Sequence, residues 1–212
     1  NTKATGVLST AVGGWGAEAT GKYSIAYGND SHAKAQNAMA IGSYARALTN
    51  YAIAFGTGAY ATGGFSMALG NEAFTNGFDA LAIGYSAGAV GEESIAIGSY
   101  AASFGKYGTT SGYLGRANGD YSTSNGAFAY ANGFASTALG TYSSAFGDFS
   151  NATGAYAWAT GLESSATGAY SQALGNLSNA DGAYAQARGH YSVATGAYSV
   201  AVFPIVIGSR TV

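Results

Sequence analysis

Residues 80–98 read Ala80-Leu81-Ala82-Ile83-Gly84-Tyr85-Ser86-Ala87-Gly88-Ala89-Val90-Gly91-Glu92-Glu93-Ser94-Ile95-Ala96-Ile97-Gly98. Glycine returns every seventh residue, at 84, 91 and 98. Small residues hold alternate positions ahead of each one: Ala80 and Ala82, Ala87 and Ala89, Ser94 and Ala96. The same comb runs through most of the chain. Of the 26 residue numbers divisible by seven between 21 and 196, 24 are glycine; the exceptions are Ala35 and Thr49. The four residues before each glycine are labelled a, b, c and d. The 27 a positions from Ala17 to Ser199 and the 27 c positions from Ala19 to Ala201 hold only Ala, Ser, Gly or Thr.

A period of two is the signature of a strand. Each seven-residue unit therefore predicts a strand of about five residues and a two-residue turn, with glycine at the corner because it reaches φ > 0 without steric cost. A helix is excluded, since glycine every seventh residue would weaken it repeatedly. Charge decides which face points in. Positions b and d carry Glu18, His32, Lys34, Arg46, Arg116, Asp181 and Arg188, which a narrow interior cannot hold unpaired. Positions a and c thus line a thin core of alanine and serine, and b and d face outward.

The outward residues double the period. Alternate units carry the b/d pairs Ile25/Tyr27, Met39/Ile41, Ile53/Phe55, Met67/Leu69, Leu81/Ile83 and Ile95/Ile97, all apolar. The units between carry Glu18/Thr20, His32/Lys34, Arg46/Leu48, Tyr60/Thr62, Phe74/Asn76 and Gly88/Val90. One coil is therefore fourteen residues in two short strands. The expected class is an all-β solenoid of thirteen or fourteen coils, roughly 65 Å long at about 4.8 Å per coil. Stacking predicts an aromatic ladder at Phe128, Tyr142, Tyr156, Tyr170, Tyr184 and Tyr198. The stripe of twelve apolar side chains exceeds what a soluble monomer usually leaves bare. It predicts burial against further copies of the chain side by side, which a closed dimer and a closed trimer both satisfy.

At these residues the chain resembles a family. Ser24-Ile25-Ala26-Tyr27-Gly28, Ser66-Met67-Ala68-Leu69-Gly70 and Ser94-Ile95-Ala96-Ile97-Gly98 are similar to the SVAIG motif of YadA-like heads of trimeric autotransporter adhesins from Gram-negative bacteria. The resemblance implies a left-handed parallel β-roll over 1–202 and three chains side by side. It implies extracellular display on the outer membrane as part of a larger chain. It implies attachment to host matrix proteins, host cells, surfaces or other bacteria, without catalysis. The twelve stripe residues become the expected trimer interface.

Three places depart from the pattern. After Gly98 the stripe turns polar, with Thr109/Ser111, Thr123/Asn125, Thr137/Leu139, Asn151/Thr153, Ser165/Thr167 and Asn179/Asp181. Either the interface is wetter there or the chains splay. The other strands gain Phe104, Tyr130, Phe146, Trp158 and Leu174. Around 9–16, Ser9-Thr10-Ala11-Val12-Gly13 fits one residue out of frame, which predicts an insertion near Gly14 and Trp15, read as a bulge. The segment 203–212 breaks the comb and is expected to be a cap or connector.

The rest of the composition narrows function. Only 18 of 212 residues are charged, with a net charge of −2. The eight basic residues are scattered, which argues against nucleic acid. No run is long and apolar enough for a membrane helix, and this segment is expected to make no membrane contact. There is no cysteine. Glycine at every seventh position makes any GxGxxG match accidental. Glu92 and Glu93 read as a solvated corner, and Asp30, His32 and Lys34 as a surface cluster. No catalytic, metal-binding or cofactor-binding constellation emerges. A ligand surface is expected instead at Tyr60, Phe74, Arg116, Tyr130 and Trp158, which share the b column of the polar strands and are hot-spot residue types. Two further readings remain open. Thr109, Thr123, Thr137, Thr153 and Thr167 suggest an ice-binding solenoid, and a trimeric phage fibre segment would share the repeat.

Overall fold

The computed structural model describes residues 2–203; the segment 204–212, most of the expected cap or connector, lies outside them. The described residues form a two-sheet parallel solenoid without helix. Strands of two residues, such as Gly88–Ala89, alternate with strands of three, such as Leu81–Ile83. The expected length of five was too long, because the backbone bends into the corner immediately after position c or d. The two-residue strands make a first sheet of 15 strands, and the three-residue strands make a second sheet of 14. Every strand pairs with the one a coil later, as in Leu81↔Ile95, Ala82↔Ala96 and Ile83↔Ile97.

The first coil is one residue longer, with Lys3↔Glu18 and Thr10↔Ile25 in register. The extra residue falls between Val12 and Glu18, in the corner holding Gly13, Gly14, Trp15 and Gly16. The insertion is therefore a lengthened corner and not a strand bulge. Gly16 takes φ +68° there, and the Trp15 amide donates to Asn29 Oδ1 at 3.1 Å.

Positions a and c fill the interior. The buried residues are alanine, serine and a few threonines, and the largest fully buried side chains are Thr75 and Thr110. Some hydroxyls are bonded locally: Ser24 and Ser66 donate to the carbonyls of Gly21 and Gly63, each at 2.7 Å, whereas those of Ser94, Ser103, Ser122, Ser136, Ser150, Ser164, Ser178 and Ser192 find no partner among the described residues. Thr110 Oγ1 donates to the Ala102 carbonyl at 2.9 Å.

The corners correct the simple role given to glycine. After three-residue strands, Gly28, Gly42, Gly56 and their successors adopt φ between +101° and +140°, where a side chain is strained. The next coil's carbonyl crowds that column as well; after two-residue strands the φ is ordinary, and glycine answers to space alone. A Cβ on Gly21 or Gly63 would collide with the carbonyl oxygen of Ala35 or Gly77 in the next coil. Both exceptions to the comb, Ala35 and Thr49, fall in this second column. Thr49 accommodates its side chain by donating Oγ1 to the Gly63 carbonyl at 2.6 Å.

The left-handed conformation also appears where no glycine stands. Two residues beyond the corner position, Tyr23, Tyr51, Tyr107 and many others hold φ between 49° and 61°. Each costs about 1–2 kcal/mol in an L-residue. The offset is a coil-to-coil hydrogen bond from the same residue: the Tyr51 amide donates to the Gln36 carbonyl at 2.9 Å, and Tyr107 does likewise to Glu92.

Candidate interaction surfaces

The second sheet gathers the apolar stripe into two straight columns. Register aligns Ile25, Met39, Ile53, Met67, Leu81 and Ile95 in one, and Tyr27, Ile41, Phe55, Leu69, Ile83 and Ile97 in the other. All twelve lie outside the buried core: Ile25, Tyr27, Phe55 and Ile97 are exposed and the other eight half-buried. Tyr27 and Phe55 remain 57% and 53% exposed. Beyond Ile97 the same columns continue as Thr109, Thr123 and Thr137 and as Ser111, Asn125 and Leu139.

The first sheet carries the five residues expected to bind a ligand, but in two groups. Tyr60 and Phe74 stack at 5.9 Å between ring centroids and 14° between planes. Gly88 and Ala102 then interrupt the column, and Arg116 and Tyr130 follow in register. Trp158 comes after Ser144. Position d supplies what joins the second group. The Arg116 guanidinium lies over the Phe104 ring at 5.2 Å. Tyr130 meets Phe146 at 5.4 Å and 48°, and Phe146 meets Trp158 at 5.9 Å and 34°. Phe104, Phe146 and Trp158 are exposed.

The predicted ladder stands on the corner that follows each second-sheet strand. From Phe128 to Tyr198 its centroids are 4.5–5.0 Å apart and its planes within 9° of parallel. Tyr85, Tyr100 and Tyr113 extend it edge-on. A hydrogen bond with Tyr85 is the main cause that holds the Tyr100 phenol above its ordinary pKa. The opposite corner has shorter runs, with Tyr51 on Phe65 at 4.7 Å and Tyr107 on Tyr121 at 4.9 Å. Their fourteen-residue spacing was the available signal for them. Each stacked pair is worth about 0.5–1.5 kcal/mol beyond its area. Tyr170→Ala removes two pairs, so the thermal midpoint should fall by roughly 2–12 °C at about 2–4 °C per kcal/mol. Tyr170→Phe should hold it near wild type by circular dichroism.

Charge is confined to small surface groups. Asp30 accepts from His32 at 3.2 Å and lies 3.6 Å from the Arg46 guanidinium. Lys34, expected in the same cluster, forms no ion pair among the described residues. Lys106 lies 3.2 Å from Glu92, which raises its pKa chiefly through that hydrogen bond. Among the described residues no three His, Cys, Asp or Glu side chains group as metal ligands, and no helix is long and apolar enough to cross a membrane.

A parallel solenoid with an alanine core, one apolar outer face and aromatic edges is an interaction scaffold, with its distinctive chemistry on the outside of the coil. The family model of the YadA head domain repeat matches residues 4–31, 19–45, 33–59, 50–73, 76–101, 117–143, 131–157, 138–164 and 180–202. The chain belongs to the YadA head repeat family, whose members are surface-displayed adhesins. Among solved structures it is similar to the collagen-binding domain of the Yersinia adhesin YadA, with 20% identity over 96% of this chain and 74% of that one and a TM-score of 0.28. A comparison with curated protein sequences finds no match.

Proposed function

We propose that this chain is the head of a homotrimeric adhesin, displayed outside the outer membrane of a Gram-negative bacterium and attaching it to host matrix or cell-surface ligands. The observation that carries the reading is the pair of apolar columns from Ile25 to Ile97, continuous and left half-buried to exposed within one chain. Three copies aligned around these columns would bury them along six coils. Each isoleucine, leucine or methionine fully removed from water contributes about 1.5–3 kcal/mol. The polar columns beyond Ile97 leave the second half of the assembly to weaker, wetter contacts. Catalysis has no residues assigned to it in this reading.

Light scattering coupled to size exclusion tests the assembly. The expected mass is near three times the 21.1 kDa of the chain, and a monomeric mass at micromolar concentration would overturn the proposal. Beads coated with the trimer should adhere to matrix-coated surfaces.

An ice-binding reading has one observation in its favour, the register of Thr109, Thr123 and Thr137 in a single column. Asn151 ends that column, and Thr153 and Thr167 stand in the neighbouring one. The array is too short and broken to outrank the stripe, and the reading leaves the isoleucines without a role. Clear thermal hysteresis from a monomeric sample would reverse this order.

A further inference from the structure

The two aromatic surfaces of the second half differ in what they leave free. In the corner ladder each ring lies flat on the next, 4.5–5.0 Å apart. Its faces are consumed, and only edges and hydroxyls meet solvent. On the first sheet the rings are tilted by 34° and 48° to one another. Trp158 is 47% exposed and Phe146 38%, so ring surface there remains open to a ligand, whereas the Phe104 ring is covered by the Arg116 guanidinium.

The polar residues among these rings are neutral. Between Arg116 and Arg188 the outward positions of the first sheet hold no ionisable acid or base, only amides, hydroxyls, Leu174 and the aromatics. Charge stays on the flanking corner, at Lys106, Asp120, Asp148 and Glu163; Asp120 and Asp148 are tied back, each accepting the backbone amide of the coil before at 2.8 Å. Asn118 spends its Nδ2 on the Tyr130 hydroxyl at 2.7 Å and on Asn132 Oδ1 at 3.3 Å. That leaves the Tyr130 hydroxyl hydrogen and the Asn132 amide to donate outward. Gln172 lies in register beside Trp158.

We propose, resting on the adhesin reading, that the first-sheet face from Tyr130 to Leu174 binds an extended, uncharged glycan chain. Pyranose C–H faces carry small positive charge and suit the negative face of an aromatic ring. Neutral amides and hydroxyls pair with sugar hydroxyls without a desolvated charge. Charge is kept to the flanking corner and to Arg116, so the face itself offers a protein partner no charged anchor of the kind that fixes register. A linear polymer also suits a surface that repeats every ~4.8 Å, with Tyr130 and Trp158 in one column two coils apart.

The test uses the assembled protein carrying Trp15→Phe, which leaves Trp158 as the single tryptophan. Probes are linear β-1,4-linked hexamers of N-acetylglucosamine and of glucose, with a heparin-derived hexamer as the anionic control. A neutral hexamer should shift Trp158 emission saturably to the blue. Phe146→Ala, and separately Gln172→Glu, should weaken that binding by about tenfold, whereas Tyr184→Ala on the ladder should not. Three results overturn the inference: no saturable response to either neutral hexamer at millimolar concentration, equal binding of the heparin hexamer, or Trp158 already shielded from acrylamide by a sister chain. Loss of attachment to protein-coated surfaces by Trp158→Ala without any glycan response would reassign the face to a protein and also count against it. Failure here with trimer mass and attachment intact leaves the adhesin reading standing, whereas a monomeric, non-adherent wild type removes that reading itself.

Discussion

Ile83→Asp should break the trimer into monomers at micromolar concentration while leaving the coil folded. Ile83 sits in the outer column of the second sheet, in register between Leu69 and Ile97 and beside Leu81. Around a three-fold axis one substitution removes three isoleucines from the interface; each is already half-buried in its own chain, so the lost burial is about 2–5 kcal/mol, part of the 1.5–3 kcal/mol of full burial for each. It also brings three carboxylates into a place with no basic partner, where they must either lose solvent or drive the chains apart. The dissociation constant should rise by at least about a thousandfold. Far-ultraviolet circular dichroism should hardly change, because the side chain points away from the alanine core. Thr137→Asp is the control: it lies in the polar continuation of the stripe and should cost much less. Light scattering reads both, and an unchanged mass for Ile83→Asp would remove the stripe from the interface.

Most of the architecture was legible because each coil repeats the environment of the last. Glycine at 84, 91 and 98, with small residues at 80, 82, 87 and 89, fixed the strand period, the inner face and the fourteen-residue coil. The same spacing led to the ladder from Phe128 to Tyr198. The corners were less legible, because their demands arise between coils. Gly21 is glycine because of a carbonyl fourteen residues away, and Gly28 because of its own φ together with the same crowding from the Gly42 carbonyl; the sequence prints the same letter for both. Nor does local sequence mark Tyr23 or Tyr51 as left-handed, since what sustains that conformation is a hydrogen bond to the previous coil. The expected ligand column was visible as a column but not as two groups. Gly88 and Ala102 divide it, and the tilted contacts of Phe146 from position d join Tyr130 to Trp158. Spacing says which side chains share a face, whereas ring tilt depends on how neighbours pack.

Ala82→Leu should unfold the coils around it. Ala82 is fully buried among Ala80, Ala87, Ala89, Ala96 and Ala101, and Ala68 and Ala96 flank it in register. No fully buried side chain in the described residues is larger than threonine. Leucine therefore brings more bulk than this interior holds anywhere, and the sheets cannot part locally without breaking the coil-to-coil hydrogen bonds on both sides. Overpacking a well-filled core costs about 1–3 kcal/mol and sometimes more, and a lumen this narrow belongs at or above the upper end. At about 3 kcal/mol the thermal midpoint should drop by roughly 6–12 °C. Because each coil of a solenoid leans only on its neighbours, the damage should be local. Amide exchange should accelerate between about residues 60 and 105 and stay slow beyond Tyr142. Ala82→Ser is the matched control, since Ser124 occupies an equivalent inner position and donates to the Ala129 carbonyl at 2.8 Å; it should cost about 1 kcal/mol or less. A wild-type midpoint for Ala82→Leu would mean the interior has room to spare, and the isoleucines would no longer be forced outward for want of space within.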